Sequence, residues 1–173
     1  MNEKVLVACI GNIFLGDDGF GFEVAQALAG CPPPKGVEVR DYGIRGLDLA
    51  YALLCPWRAV LLVDAIQRGA APGTVYLLQP EEVKPASHMP LDPHAMDPLR
   101  VLATARSLGE IRAAIYIVGC EPEDLGDETE GRMGLSPAVA AAVPEAVKMV
   151  LRVAEKLVSE TVTHLATSTG GKR

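Results

Sequence analysis

The stretch KVLVACIGNIFLGDDGFG, residues 4–21, joins a short apolar run to a glycine-rich loop that carries two adjacent aspartates. The run from Val5 to Ile10 is typical of a strand buried on both faces of a parallel sheet. A glycine-rich loop after such a strand often binds phosphate at the start of a helix. The roles of Asp17 and Asp18 in this loop therefore decide what kind of ligand the sheet binds.

The spacing of the loop glycines argues against the two common nucleotide-binding motifs. Glycines at positions 11, 16, 19 and 21 do not supply the opening pair of GxGxxG. The loop ends in Asp-Asp-Gly, whereas a P-loop ends in Gly-Lys followed by Ser or Thr. Two carboxylates would also repel a phosphate that the helix N-terminus attracts. We therefore expect no nucleotide at this loop.

Strands and helices alternate along the rest of the chain. The predicted strands lie at 4–10, 37–42, 58–64, 74–80 and 114–120, and the predicted helices at 19–29, 46–54, 97–109 and from about 136 to 158. Asp97 is expected to cap the third of these helices. This order predicts an α/β fold in which one doubly wound, mostly parallel five-stranded sheet carries helices on both faces. The fourth strand follows the third after a turn too short for a crossover helix, so we expect it to run antiparallel at an edge.

The last helix sets the predicted domain boundary. Pro144 is expected to kink or restart this helix. The apolar period is lost after it, so we predict one domain over residues 1–159 and a flexible tail over 160–173. His164 in that tail is expected to lie at the surface without a function.

Charge and cysteine content indicate a cytoplasmic protein. Net charge is −6, with Lys and Arg scattered, which argues against a nucleic-acid partner. The four cysteines lack a CxxC pair and lie in or beside apolar segments, which predicts reduced, buried thiols. Apolar runs are too short for a signal peptide or a membrane span, so no membrane partner is expected.

Two aspartates are expected at one edge of the sheet. Either Asp17 or Asp18 can cap the helix that follows, which leaves the other at the carboxyl end of the first strand. Asp64 ends the third strand and should lie at the same edge, where open α/β sheets bind ligands. Asp64 can equally be a structural end-of-strand acceptor. A pair formed by Asp18 and Asp64 would be costly unless the two carboxylates share a cation or a proton.

Two histidines, His88 and His94, lie in the proline-rich loop SHMPLDPHAMDP, residues 87–98. Each can be an exposed loop residue without a function. An imidazole beside two carboxylates would instead make a mixed nitrogen and oxygen site suited to nickel or zinc. Such a site has open positions and would hold the ion weakly, so a second molecule could complete it. Glu121 and Glu123 also follow a strand at this edge, although their acidic loop can be solvated surface.

Several segments together match a known family. They are GNIFLGDDGFG (11–21), DYGIRGLDL (41–49), LLVDAI (61–66), APGTVYLL (71–78), HAMDP (94–98), IVGCEPEDL (117–125) and GLSPAV (134–139). With these segments, the chain resembles the hydrogenase maturation endopeptidases, which trim the C-terminal extension from the large subunit of nickel-iron hydrogenases. The resemblance covers residues 4–158, in the same order.

The resemblance implies a cytoplasmic protease of α/β fold that acts once on each precursor, after nickel has been inserted. Nickel in the precursor is then the recognition signal, and no organic cofactor is needed. The residues implied as catalytic and nickel-contacting are Asp18, Asp64 and His94, with His88 as the competing histidine. Asp17 is assigned to helix capping and loop support.

Two questions stay open at this level. Gly43 and Gly46 in the second-strand motif can admit an extended peptide or simply form a turn. The nickel ion can polarise the scissile carbonyl or activate a water, or one carboxylate can act as general base, since Cys9 and Cys120 lie in buried strands and are poor nucleophiles. A non-catalytic nickel chaperone or scaffold that binds the same precursor is the alternative function.

Overall fold

All strands of the described chain belong to one sheet. The computed structural model describes residues 4–82, 97–127 and 129–168, with backbone only for 161–168. The strands are β1 (Val5–Ile10), β2 (Val37–Gly43), β3 (Ala59–Ala65), β4 (Val75–Leu78) and β5 (Ala114–Cys120). Their order is β2-β1-β3-β5-β4, with β4 antiparallel to β5 and the other pairs parallel. The predicted mostly parallel sheet with an antiparallel edge strand is confirmed.

Helices cover both faces of this sheet. They are α1 (Phe20–Ala29), α2 (Gly46–Leu53), α3 (Pro98–Leu108) and α4 (Pro137–Ser168), and two 3-10 turns lie at Gly16–Gly19 and Pro80–Glu82. Side chains alternate between the two faces of a strand. Val5 and Val7 of β1 accordingly pack in a core with α1 and α4, whereas Leu6 and Ala8 pack in a second core with α2 and α3.

The order of the strands places a switch point beside β1. From β1 the chain moves first to β2 on one side and later to β3 on the other. Open α/β sheets bind ligands in the crevice that forms at the carboxyl ends of strands where the order reverses in this way. Every residue of β1 is buried, so this crevice rests on a rigid central strand.

The last helix is longer than the sequence predicts. It continues without a restart through Pro144 and extends to Ser168, past the expected boundary at residue 159. No glycine or second proline occurs between Pro144 and Gly170, so the sequence contains no stop signal in that range. Residues 160–168 are therefore helical, whereas residues 169–173 lie outside the described residues.

The cysteines divide into two kinds. All four are free, with Cys9 and Cys120 buried in strands and Cys31 and Cys55 exposed. The prediction of buried thiols is therefore wrong for the second pair, because each follows the end of a helix and precedes proline in a surface turn. Among the described helices, none is long and apolar enough to cross a membrane.

Candidate active site

The glycine-rich loop after β1 is built for close backbone packing. Gly11 has a φ of 149°, and a Cβ atom placed on it would lie 2.0 Å from the carbonyl oxygen of Asp18. A Cβ atom on Gly21 would lie 2.0 Å from the carbonyl oxygen of Ile10. These glycines let the loop pack back against the end of β1. This packing determines the positions of Asp17 and Asp18, the two aspartates of the loop.

Asp17 is a buried anchor between distant segments. Its carboxylate is 0 % exposed and accepts hydrogen bonds from the backbone N–H groups of Glu123 (2.8 Å), Asp124 (2.9 Å) and Ser136 (2.7 Å) and from the Ser136 hydroxyl (2.9 Å). Burial favours the neutral acid, but these donors outweigh it and lower the pKa of Asp17. The side chain supports the loop before α4, and the prediction that it caps a helix is wrong.

Asp18 has a different environment. Its half-buried side chain accepts one hydrogen bond, from the backbone N–H of Asn12 at 3.0 Å. Burial dominates over this single donor and raises the pKa of Asp18. No side-chain bond caps the 3-10 turn or α1, so the carboxylate is not used to start a helix.

Asp64 lies at the end of β3 and is 2 % exposed. Its carboxylate accepts a hydrogen bond from the backbone N–H of Ala65 at 2.8 Å. Burial raises the pKa of Asp64 well above its usual value, and repulsion from Asp18 raises it further. The structure thus brings Asp18 and Asp64 within electrostatic reach of each other at the switch point.

A third carboxylate approaches the same place. Asp97 is the N-cap of α3, and its side chain accepts a hydrogen bond from the backbone N–H of Leu99 at 2.9 Å, as the sequence predicts. Its negative charge also contributes to the raised pKa of Asp64. The sequence predicts only the capping role for Asp97, although its position three residues after His94 was a usable signal for a role at this edge.

The two candidate histidines, His88 and His94, lie outside the described residues. The structure therefore does not test whether either imidazole reaches Asp18 and Asp64. Among the residues that are described, no group of three or more His, Cys, Asp or Glu side chains has the arrangement to hold a metal ion. The role of His94 stays a prediction.

Glu121 holds the segment that follows β3. It is 4 % exposed and accepts hydrogen bonds from the backbone N–H groups of Arg68 (2.8 Å) and Gly69 (3.0 Å) and from the Tyr76 hydroxyl (2.7 Å). Burial and this hydroxyl bond raise the pKa of Tyr76 to about 12. The alternative that Glu121 is solvated surface is therefore wrong, whereas the side chain of Glu123 is exposed.

The buried cysteines are unsuited to nucleophilic attack. Burial, with smaller effects of Asp41 and Asp64, raises the pKa of Cys9 far above its usual value. Burial likewise raises the pKa of Cys120 to about 12. Both thiols are protonated at neutral pH, and a thiolate is the form that reacts. Carboxylates are therefore the reactive groups that the described residues place at the crevice.

Fold and site together define an α/β protein with an acidic crevice at the switch point of its sheet. The chain belongs to the hydrogenase maturation protease family, whose model HycI matches residues 22–153. The family resemblance seen in the sequence motifs is thereby confirmed.

Curated relatives and solved structures agree with this assignment. The chain is 31 % identical to the hydrogenase 2 maturation protease of Escherichia coli (strain K12) over 149 residues, which cover 86 % of this chain and 88 % of that protein. It is 30 % identical over 155 residues to the coenzyme F420 hydrogenase subunit delta of Methanothermobacter thermautotrophicus, covering 87 % and 94 % of the two chains. The structure of the hydrogenase maturating endopeptidase HybD from E. coli matches with a TM-score of 0.72 and 32 % identity, covering 88 % of this chain and 93 % of that one.

These similarities confirm that the chain is an endopeptidase, and hence a hydrolase, of this family with the predicted α/β fold. The alternative of a non-catalytic chaperone or scaffold is not supported by them.

Proposed function

We propose that this endopeptidase removes the C-terminal extension of a nickel-iron hydrogenase large-subunit precursor after nickel has been inserted. The observation that carries the proposal is that, in a hydrogenase maturation protease fold, Asp18 after β1 lies close enough to Asp64 at the end of β3 for its charge to raise the pKa of Asp64. The half-buried carboxylate of Asp18 and the buried carboxylate of Asp64 repel each other when both are ionised, and a divalent cation relieves that repulsion. The nickel ion of the precursor is such a cation.

Nickel acts here as part of the substrate. Asp18 and Asp64 supply oxygen ligands, His94 supplies an imidazole nitrogen, and the precursor holds the ion with its own ligands. Mixed nitrogen and oxygen donors suit a borderline divalent ion such as nickel. The protein recognises only loaded precursors because an empty precursor brings no ion to offset the acidic crevice. No organic cofactor takes part.

Two routes to hydrolysis fit this arrangement. In the first, the substrate-bound ion polarises the scissile carbonyl or activates a water molecule. In the second, Asp64 takes a proton from water directly, since a carboxylate with a raised pKa is a better general base. In both, Asp18 and Asp64 hold the ion and the peptide bond in one geometry, and only the first requires the ion in the bond-breaking step.

We assign this step to the cytoplasm, without a membrane or nucleic-acid partner. The net charge of −6 and the four free cysteines support that assignment.

The test is to incubate the purified protein with nickel-loaded and nickel-free precursor and to weigh the large subunit by mass spectrometry. We expect loss of the extension from the loaded precursor only. His94→Ala should prevent trimming, and His88→Ala is the matched control that should not. A loaded precursor left uncut by the wild-type protein would overturn the proposal, and equal cutting of the nickel-free precursor would contradict recognition through nickel.

A further inference from the structure

The outer edge of β2 has backbone groups that point away from the sheet. Among the described strands, β2 pairs only with β1. The N–H of Val5 donates to the carbonyl of Gly36 at 2.9 Å. This bond determines which residues of β2 direct their backbone groups toward β1 and which direct them outward. Glu38 and Arg40 therefore turn their backbone groups toward β1, whereas Val37, Val39 and Asp41 turn theirs outward.

Local contacts close the two ends of this outward row but not its middle. The N–H of Val37 donates to the carbonyl of Pro34 at 3.0 Å, and the carbonyl of Asp41 accepts a bond from the Arg45 guanidinium at 2.5 Å. Both backbone groups of Val39 stay without a partner strand within the described residues. A row of this kind is complementary to the backbone of an extended peptide.

A groove lies on each side of this edge. The groove on the α1 side, of about 500 Å³, is lined by Leu28, Pro32, Val37 and Val39 among others. The groove on the α2 side, of about 600 Å³, is lined by Arg40, Tyr42, Arg45 and Tyr51 among others. Because successive side chains of a strand point to opposite faces, a peptide added to β2 would place them alternately in the two grooves.

The chemistry of the two grooves differs. The α1 side is mainly apolar, so it favours an aliphatic side chain. On the α2 side, the Arg40 guanidinium lies 5.5 Å from the ring centre of Trp57. The Tyr42 residue is 6 % exposed, and its hydroxyl lies near Arg40 but has no hydrogen-bond partner of good geometry within the described residues. The guanidinium groups of Arg40 and Arg45 are exposed donors that line this groove, so this side favours a polar side chain that can accept a hydrogen bond.

The edge leads to the acidic crevice. At the end of β2 the carbonyl of Gly43 accepts a bond from the N–H of Gly11 at 3.0 Å, and Gly11 packs against the backbone of Asp18. A strand added to β2 would lie about 10 Å from β1, since neighbouring strands are ~4.8 Å apart. Three or four extended residues, at ~3.4 Å each, span that distance. One polypeptide can thus occupy both the edge and the crevice.

We propose that the outer edge of β2 binds the C-terminal extension of the precursor as an added strand, with alternate side chains in the α1-side and α2-side grooves. This rests on the proposed function, because the occupant is the segment that the protease removes. Binding along β2 would hold the extension while its junction with the large subunit lies over Asp18 and Asp64.

The test compares Val39→Pro with Val39→Thr. Proline is tolerated on an edge strand where its missing N–H faces outward, and its ring would obstruct an added strand there. Threonine keeps the N–H and the branched shape. We expect Val39→Pro to weaken binding of the nickel-loaded precursor by about tenfold, with Val39→Thr binding like the wild type. A large subunit that lacks the extension should bind all three proteins equally.

Two further measurements keep the test decisive if Val39→Pro folds poorly. Gln26→Trp changes an exposed residue of the α1-side groove and should also weaken binding, with Gln26→Ala as its control. Hydrogen exchange on the wild-type protein should show protection of the Val39 and Asp41 amides by the precursor, and not by the shortened subunit.

The outcomes separate the two proposals. Normal binding by both Val39→Pro and Gln26→Trp, or protection of these amides that arises from self-association without precursor, would overturn strand addition while protease activity stands. If the precursor protects the β2 amides of the wild-type protein but its extension is left uncut, the proposed function fails and strand addition is supported. Absence of protection together with normal cutting overturns strand addition alone.

Discussion

Asp17 and Asp64 are two carboxylates with nearly the same burial and opposite behaviour. Asp17, 0 % exposed, accepts four hydrogen bonds and has a lowered pKa. Asp64, 2 % exposed, accepts its bond from Ala65, lies near Asp18, and has a strongly raised pKa. Burial alone therefore does not decide the state of a carboxylate. The number of donors and the charge of the neighbours decide whether it stabilises the fold or is held ready for a ligand.

The largest expected effect is on catalysis. Asp64→Asn should lower the rate of precursor trimming by roughly 10³-fold, because it removes a charged ligand or base from the crevice. Stability should be unchanged or slightly higher, since the substitution removes a buried, repelled charge. Trimming rates from mass spectrometry and urea unfolding measure the two effects. Normal trimming by this variant would contradict the assignment of Asp64 to the site.

At Asp17 we expect the opposite result, a loss of stability. Asp17→Asn should lower the free energy of unfolding by on the order of 3 kcal/mol, because the amide nitrogen cannot accept the bonds that a carboxylate oxygen accepts. Ser136→Ala removes only the hydroxyl bond and should cost about 1 kcal/mol. Urea unfolding monitored by circular dichroism measures both. Equal losses for the two variants would show that Asp17 is not the centre of this network.

The lowered pKa of Asp17 also predicts how stability changes with pH. The lowered pKa of Asp17 means that its contribution is present above its unfolded value near 3.8 and is lost as pH falls through the folded value. The difference in stability between the wild type and Asp17→Asn should therefore be full at pH 6 and shrink below about pH 4. Urea unfolding at a series of pH values tests this, and a difference that grows in acid would contradict it.

The smallest effect is expected at Asp97. Asparagine caps helices about as well as aspartate, so Asp97→Asn should change stability by less than about 0.5 kcal/mol while removing one negative charge near Asp64. Asp97→Ala also removes the cap and should cost about 1 kcal/mol. Trimming by Asp97→Asn should change only a few-fold, because Asp18 and Asp64, which we propose as the ligands of the ion, are intact. A loss as large as that of Asp64→Asn would place Asp97 among the ligands.

The sheet and the acidic pair could be predicted because local patterns encode them. Continuous apolar runs identify β1 and β3, and the rule for carboxyl ends of parallel strands brings Asp18 and Asp64 to one edge. The role of Asp17 could not be predicted in this way. Its partners Glu123 and Ser136 lie 106 and 119 residues away, and no local periodicity records such a contact.

Two other errors have similar physical causes. The end of α4 was predicted from the loss of apolar period, but a helix without a glycine or proline stop can continue past the last residue of that period. Glu121 belonged to an acidic segment, and charge alone did not reveal that one of its residues turns inward to hold the loop after β3.

The central claim is that Asp18 and Asp64 contact the nickel ion carried by the precursor. Nickel K-edge X-ray absorption of the loaded precursor, recorded alone and with the protein before cleavage proceeds, tests it most directly. We expect additional oxygen or nitrogen ligands at nickel in the complex with the wild-type protein, and fewer of them in the complex with Asp64→Asn. An unchanged nickel spectrum in a wild-type complex that goes on to cut the precursor would contradict it.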